Sequence, residues 1–211
     1  MSTLEVGKIV PATGTAITLG ESGDTLTVPS GGNLTVASGA TINITGATQT
    51  GFPSGGLTAA SQWRLTTNFT GAAAPIASNL EEVDAPVGFG VLGSSMTESS
   101  GIFTFPSTGY WLIDFHSNCT AAANVFYRNI RIFTTTNNST YVEAANGYSA
   151  VGISAAGTWY WGADARYIFD VTDTANCKVQ FQVQVSGGTV TTVGNTDYNQ
   201  TYMTFLRLAD T

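Results

Sequence analysis

The chain has 211 residues and a mass of 22.0 kDa, room for one ordinary domain plus an appendage. It is 43% hydrophobic but only 10% charged, against roughly 25% in an average soluble domain, and its net charge of −7 leaves no basic stripe for phosphate contacts, which argues against a nucleic-acid partner. No stretch approaches the ~18 apolar residues of a membrane span and no charged start leads into an apolar run, so neither membrane insertion nor a signal peptide is expected, and assembly is placed in a cytoplasm.

Residues 1–20 hold Val6, Ile9, Val10, Ile17 and Leu19, broken by Pro11 and Gly14, which reads as extended chain and a candidate anchor. A repeating unit follows in step: Ser22, Ser30 and Ser38; Gly23, Gly31 and Gly39; Leu26, Leu34 and Ile42; Val28, Val36 and Ile44. The apolar pair at i and i+2 shares one face of a short strand, and the Ser-Gly step supplies a turn. Burying two aliphatic side chains yields roughly 3 to 6 kcal/mol, whereas fixing a unit's backbone costs on the order of 8 to 16 kcal/mol. The deficit calls for stacking or for partner chains, as in a solenoid or a multi-chain β-prism. Leu26, Val28, Leu34, Val36, Ile42 and Ile44 are therefore the predicted stem contacts between chains. A flexible Thr-rich linker is the alternative, and the fixed Leu-x-Val spacing argues against it.

Gly46 to Gly56 reads as a turning connector, so the expected domains are a repeat stem and anchor at 1–50, a Gly/Pro linker at 51–60 and a packed head at 61–211. All four Trp, all eight Tyr and ten of the eleven Phe lie beyond residue 55. Alternation predicts strands at 62–69, 87–92, 101–105, 109–117, 124–135, 140–153, 158–161, 165–171, 177–186, 189–193 and 201–208, with no amphipathic helix. The head is thus expected to be all-β, a jelly-roll sandwich of about ten strands. The turn at 106–109 is expected to make the strands on either side of it adjacent and antiparallel, and the apolar closing strand to lie inside a sheet.

Gly101-Ile102-Phe103-Thr104-Phe105-Pro106, followed by Gly109-Tyr110-Trp111-Leu112-Ile113-Asp114-Phe115, is similar to a segment of the tumour necrosis factor and complement-type jelly-roll heads. Phe169 to Asp173 leading into Lys178 to Phe181, and Thr201 to Leu208, resemble later segments of that family, although its usual Gly-Asp is absent before residue 178. The resemblance covers about residues 61–211. Joined to a Thr/Ser/Gly octad stem, such a head resembles virion structural proteins of tailed phages. That resemblance implies a homotrimeric fiber or spike, with residues 1–50 docked on other virion proteins and the head meeting a host-surface glycan or protein. A capsid decoration protein and a secreted complement-type ligand-binding module are the alternatives.

Residues suited to catalysis are sparse. His116 is the only histidine, so a nucleophilic triad would have to use it; its place in an alternating run favours a satisfied or interface role. Glu81, Glu82 and Asp84 form an acidic loop, with a hard cation as the less favoured reading beside simple solvation. Asp170 and Asp173 flank a turn and suit local bonding to the backbone. Cys119 and Cys177 read as two buried thiols, with a single bridge as the alternative. No enzyme activity, cofactor or metal is expected. Exposed aromatic rings are the better lead, since flat rings stack on sugars or anchor protein contacts. Tyr160, Tyr141 and Tyr148 are the candidate surface contacts, with Trp159 and Trp161 facing inward.

Overall fold

The aromatic strands beyond residue 57 decide the layout of the described head. The computed structural model describes residues 25, 27–33, 35–38, 40, 57–122, 125–151, 157–186 and 189–211. The chain divides into two units, Met1–Phe52 and Pro53–Thr211. In the first, Gly32 N–H donates to the Pro29 carbonyl at 2.8 Å around Ser30 and Gly31, whose φ of 83° only glycine adopts cheaply. Eight residues on, Ala40 N–H donates to the Ala37 carbonyl at 3.0 Å, the same backbone bond one unit later. Val28 and Val36 are exposed. Leu26, Leu34, Ile42 and Ile44, the other predicted stem contacts, lie outside the described residues.

The second unit is built from twelve strands among the described residues: β1 (Ala60–Leu65), β2 (Phe69–Thr70), β3 (Leu80–Glu82), β4 (Thr97–Ser99), β5 (Ile102–Thr104), β6 (Gly109–Ala121), β7 (Val125–Thr135), β8 (Val142–Val151), β9 (Trp159–Val171), β10 (Lys178–Val185), β11 (Val190–Thr192) and β12 (Thr201–Ala209). They form two antiparallel sheets, one of seven strands ordered β2-β11-β6-β12-β1-β3 with β9 also on β6, and one of five ordered β4-β5-β10-β7-β8. Along β6, β9 occupies one edge for the full length while β12 and then β11 share the other. As expected, the apolar closing strand β12 runs inside a sheet, between β6 and β1.

Three expectations are corrected. The segments around Pro106 are not a hairpin: β5 belongs to the smaller sheet and β6 to the larger. Pro106 has no N–H to extend a ladder. The Trp111 indole then donates to the Ser107 carbonyl at 3.1 Å, and Gly109, at φ 137°, passes so close to the Ala209 carbonyl that a Cβ would stand 2.5 Å from it. This turn carries the chain across the core. Residues 87–92 form no strand, because Gly88 takes a φ of 100° and only Leu92 finds a ladder partner, Ala60. Among the described residues the sandwich has twelve strands rather than about ten: β2 separates from the segment expected at 62–69, β3 and β4, of three residues each, are too short to show alternation, while 158–161 and 165–171 fuse into β9.

Alternation on β6 turns Trp111, Ile113 and Phe115 inward, and rings from both sheets interlock there. Phe103 lies 5.4 Å from Phe205, and Phe115 lies 4.9 Å from Phe181, within the range where tilted and edge-on ring pairs attract. Beyond Ser117 the inward side of β6 reaches a smaller cluster of Cys119, Ala121, Val125 and Val190. Both cysteines are buried free thiols, Cys177 in the main cluster and Cys119 in the small one, so the alternative of a bridge is set aside. Phe205 touches rings from both sheets. Phe205→Ala is expected to cost about 3–5 kcal/mol, read as a lowered denaturant midpoint with an unchanged slope.

Candidate functional site

Register on the outward side of the larger sheet sets three rows across β12, β6 and β9: Leu206, Leu112, Ile168; Thr204, Asp114, Arg166; and Tyr202, His116, Asp164. The first is wholly aliphatic, and Ile168 is 56% exposed. Polar groups in the next two rows are bonded to one another within the sheet. Arg166 Nε donates to Asp114 Oδ2 at 2.9 Å, and this bond raises the guanidinium pKa. His116 Nδ1 bonds Asp164 Oδ1 at 2.7 Å, its Nε2 meets Asn118 Oδ1 at 3.1 Å, and its ring stacks on Tyr202 at 5.1 Å. Burial, then the charges of Asp114 and Asp164, pushes the Tyr202 hydroxyl up. The histidine thus has the carboxylate partner a triad needs, but both ring nitrogens are occupied; the neighbouring Ser117 hydroxyl points inward and bonds Thr201 at 3.0 Å.

The three candidate tyrosines come from different segments of the head. Tyr160 is 74% exposed on β9, opposite Thr120. Tyr148 is 64% exposed on β8, with Tyr127 edge-on at 6.1 Å. Tyr141 is half-buried, and burial pushes its hydroxyl up. Trp161 packs on the small cluster as expected of an inward ring, whereas Trp159 is 39% exposed.

Glu81 and Asp84 are neither a cation site nor simply solvated. Glu81 accepts from Arg64 Nε at 2.7 Å, Asp84 from Nη2 at 2.6 Å, and the Ala85 carbonyl from Nη1 at 2.8 Å. Arg64 is fully buried. A buried guanidinium with two carboxylates and a carbonyl is well matched in charge and donors, and it pins the start of residues 84–92. The far end is pinned by two 2.9 Å bonds between Ala60 and Leu92. Among the described residues no group of three or more His, Cys, Asp or Glu could hold a metal ion.

A second buried arginine, Arg128, has hydroxyls where Arg64 has carboxylates. It donates to the Ser117 hydroxyl and carbonyl and to Thr192 Oγ1, and among the described residues no carboxylate pairs with it. Burial lowers its pKa, and burial also raises that of Cys119 beside it, with the guanidinium opposing. Sequence reasoning missed both arginines. With only seven Lys and Arg in the chain, a cation inside an apolar strand such as Trp63-Arg64-Leu65 was the available signal. Asp173 does cap its turn as expected, accepting from Ala175 N–H at 2.8 Å and from the Asn176 amide at 2.6 Å.

The fold, two antiparallel sheets closed over phenyl rings, is a TNF-like jelly roll. The described part of the chain is similar to Eiger TNF from S. frugiperda, with a TM-score of 0.54 and 11% identity over 72% of this chain and 93% of that one. It is also similar to murine APRIL at pH 5.0, with a TM-score of 0.49 and 9% identity over 71% of this chain and 98% of that one. No family model and no curated protein matches the sequence.

Ser117→Ala is expected to cost about 1–3 kcal/mol, because it leaves a buried guanidinium short of an acceptor; Arg128→Met is expected to be neutral or stabilising, since a buried charge is replaced by an apolar chain of similar volume. Urea titration of both variants checks this. The Ala175 N–H, followed by Asn176, holds the Asp173 carboxyl below its ordinary range. Its stabilisation is therefore present above the unfolded value of about 3.9 and lost as pH falls through the depressed folded value. Thermal melts of Asp173→Asn should fall below wild type at pH 7 and converge with it in strong acid.

Proposed function

We propose that this chain is a structural and attachment protein of a tailed-phage virion: a homotrimer whose first fifty residues dock on other virion proteins and whose jelly roll meets the host surface. The observation that carries the reading is the aliphatic row Leu206, Leu112, Ile168, laid in register on an outward sheet face whose neighbouring polar groups already bond one another. Interface cores are depleted in unpaired charge and enriched in apolar area, and a second and third copy would cover this row. The likeness of the stem and head together to phage virion proteins supports the rest, as do two like backbone bonds one repeat apart.

Light scattering of the purified chain is expected to give three times 22.0 kDa. The double variant Leu112→Glu, Ile168→Glu should fall to a folded single copy, because it places like charges in the row. A lone 22.0 kDa wild-type species would overturn the trimer. Particles assembled without the chain should adsorb to host cells at least tenfold more slowly; unchanged adsorption would overturn the attachment role.

A further inference from the structure

The aliphatic row on the larger sheet does not stop at Leu206. Ala60 pairs with Leu206 on one side and with Leu92 on the other, and directly opposed residues of an antiparallel pair share a face. Leu92, Ala60, Leu206, Leu112 and Ile168 therefore stand in one register across five segments, about 19 Å from end to end at the usual strand spacing. The Leu92 end runs into an arch of residues 85–92, which rises over the outward side of β1. Beneath it is a hollow of about 290 Å³ lined in part by Gln62 and Asn199, whose amides are already linked, Asn199 Nδ2 donating to Gln62 Oε1 at 3.3 Å and Gln62 Nε2 to Thr204 Oγ1 at 2.9 Å.

The arch is held at both feet and closed in the middle. Arg64 bonds Asp84 and Ala85 at one foot, Leu92 and Ala60 exchange hydrogen bonds at the other, and Phe89 N–H donates to the Pro86 carbonyl at 3.2 Å. On this fixed support Val87, Phe89, Val91 and Leu92 are all exposed. No charged residue stands between Asp84 and Glu98. A loop already fixed in shape loses less freedom on contact than a mobile one, so the arch presents apolar area that is ready to be covered.

We propose that the arch is the element by which one copy of this chain holds the next: Val87 and Phe89 of one head pack on Ile168 and its diagonal neighbour Tyr110 at the far end of the row in another, an inference that rests on the trimer argued above. A stable contact buries about 800 Å² from about 20–30 residues a side. Three aliphatic side chains fall far short of that, and the arch is apolar area continuous with them. A closed ring of three also needs a heterologous contact, in which one part of a surface meets a different part on the next copy. The row has two unlike ends, a raised arch beside β1 and the outer strand β9. Other occupants match the arch poorly. Its exposed side chains bring no hydrogen-bonding group to a sugar. Every Lys and Arg among the described residues is already bonded within the chain, and Asp84 stands exposed at one foot, so nothing there attracts an anionic lipid surface.

The test uses the full chain and thiol cross-linking. The double variant Val87→Cys, Ile168→Cys, treated with a short bifunctional maleimide, is expected to run as linked pairs and triples on a denaturing gel. Either cysteine alone should give single chains, because Cys119 and Cys177 are buried. Separately, Val87→Glu, Phe89→Glu should raise the concentration at which the trimer half-dissociates by at least about tenfold, with far-UV circular dichroism confirming a folded head. A trimeric wild type whose cysteine pair fails to link, or whose charged arch leaves that concentration unchanged, overturns the arch and leaves the trimer standing. Linking by Val87→Cys alone marks a two-fold contact and overturns it too. So does an arch variant that stays trimeric but slows particle adsorption, or one that loses an affinity of the wild type for phosphatidylcholine vesicles, since the arch then belongs to a host protein or to lipid. A single-copy wild type overturns the trimer itself, and the inference falls with it.

Discussion

Phe103 and Phe181 come from the smaller sheet and Phe115 and Phe205 from the larger, and each sheet's rings lie within 6.0 Å of the other's. With so few charged residues, this interlock is what holds the two layers at a fixed spacing, since ring pairs add directional attraction to the area they bury. Other features depend on it. The turn at 106–109 must deliver Phe105 and Trp111, 5.4 Å apart, to opposite sides of one core, and so it crosses between sheets instead of closing a hairpin. The outward faces are then free of packing duty, and their side chains can be chosen for contact with something else.

Polar groups inside the head follow two different solutions. Arg64 is covered by an arch whose carboxylates it recruits, so one charge network both neutralises a buried cation and shapes a cavity wall. Arg128 is surrounded by hydroxyls and separates the phenyl core from the small cluster around Cys119. The first arrangement positions a surface; the second divides an interior. Neither cation is available for phosphate binding, which agrees with the acidic balance of the chain.

On the outward side of the larger sheet, an aliphatic row lies beside rows of bonded polar groups, while the amides at Gln62 and Asn199 sit under the arch. The apolar row and the linked amides thus occupy different places on that side.

Long strands were legible from residue order alone. The strand expected at 109–117 lies within β6, whose alternation of burial runs on to Ala121, four residues past the expected end. The same pattern placed Trp111 and Phe115 inside, Tyr160 outside and the capping role at Asp173, because each depends on neighbours within a few positions. What tertiary structure alone decided lies between residues far apart in sequence. Asn199 meets Gln62 across 137 positions, Arg64 finds Glu81 and Asp84 from another element, and Val87 to Leu92, although it alternates like a strand, is lifted into an arch in which Gly88 turns at a φ of 100° and Leu92 alone pairs, with Ala60. Alternation records which side a residue faces; it carries no record of which strand arrives beside it, and that choice belongs to the packing of the whole core.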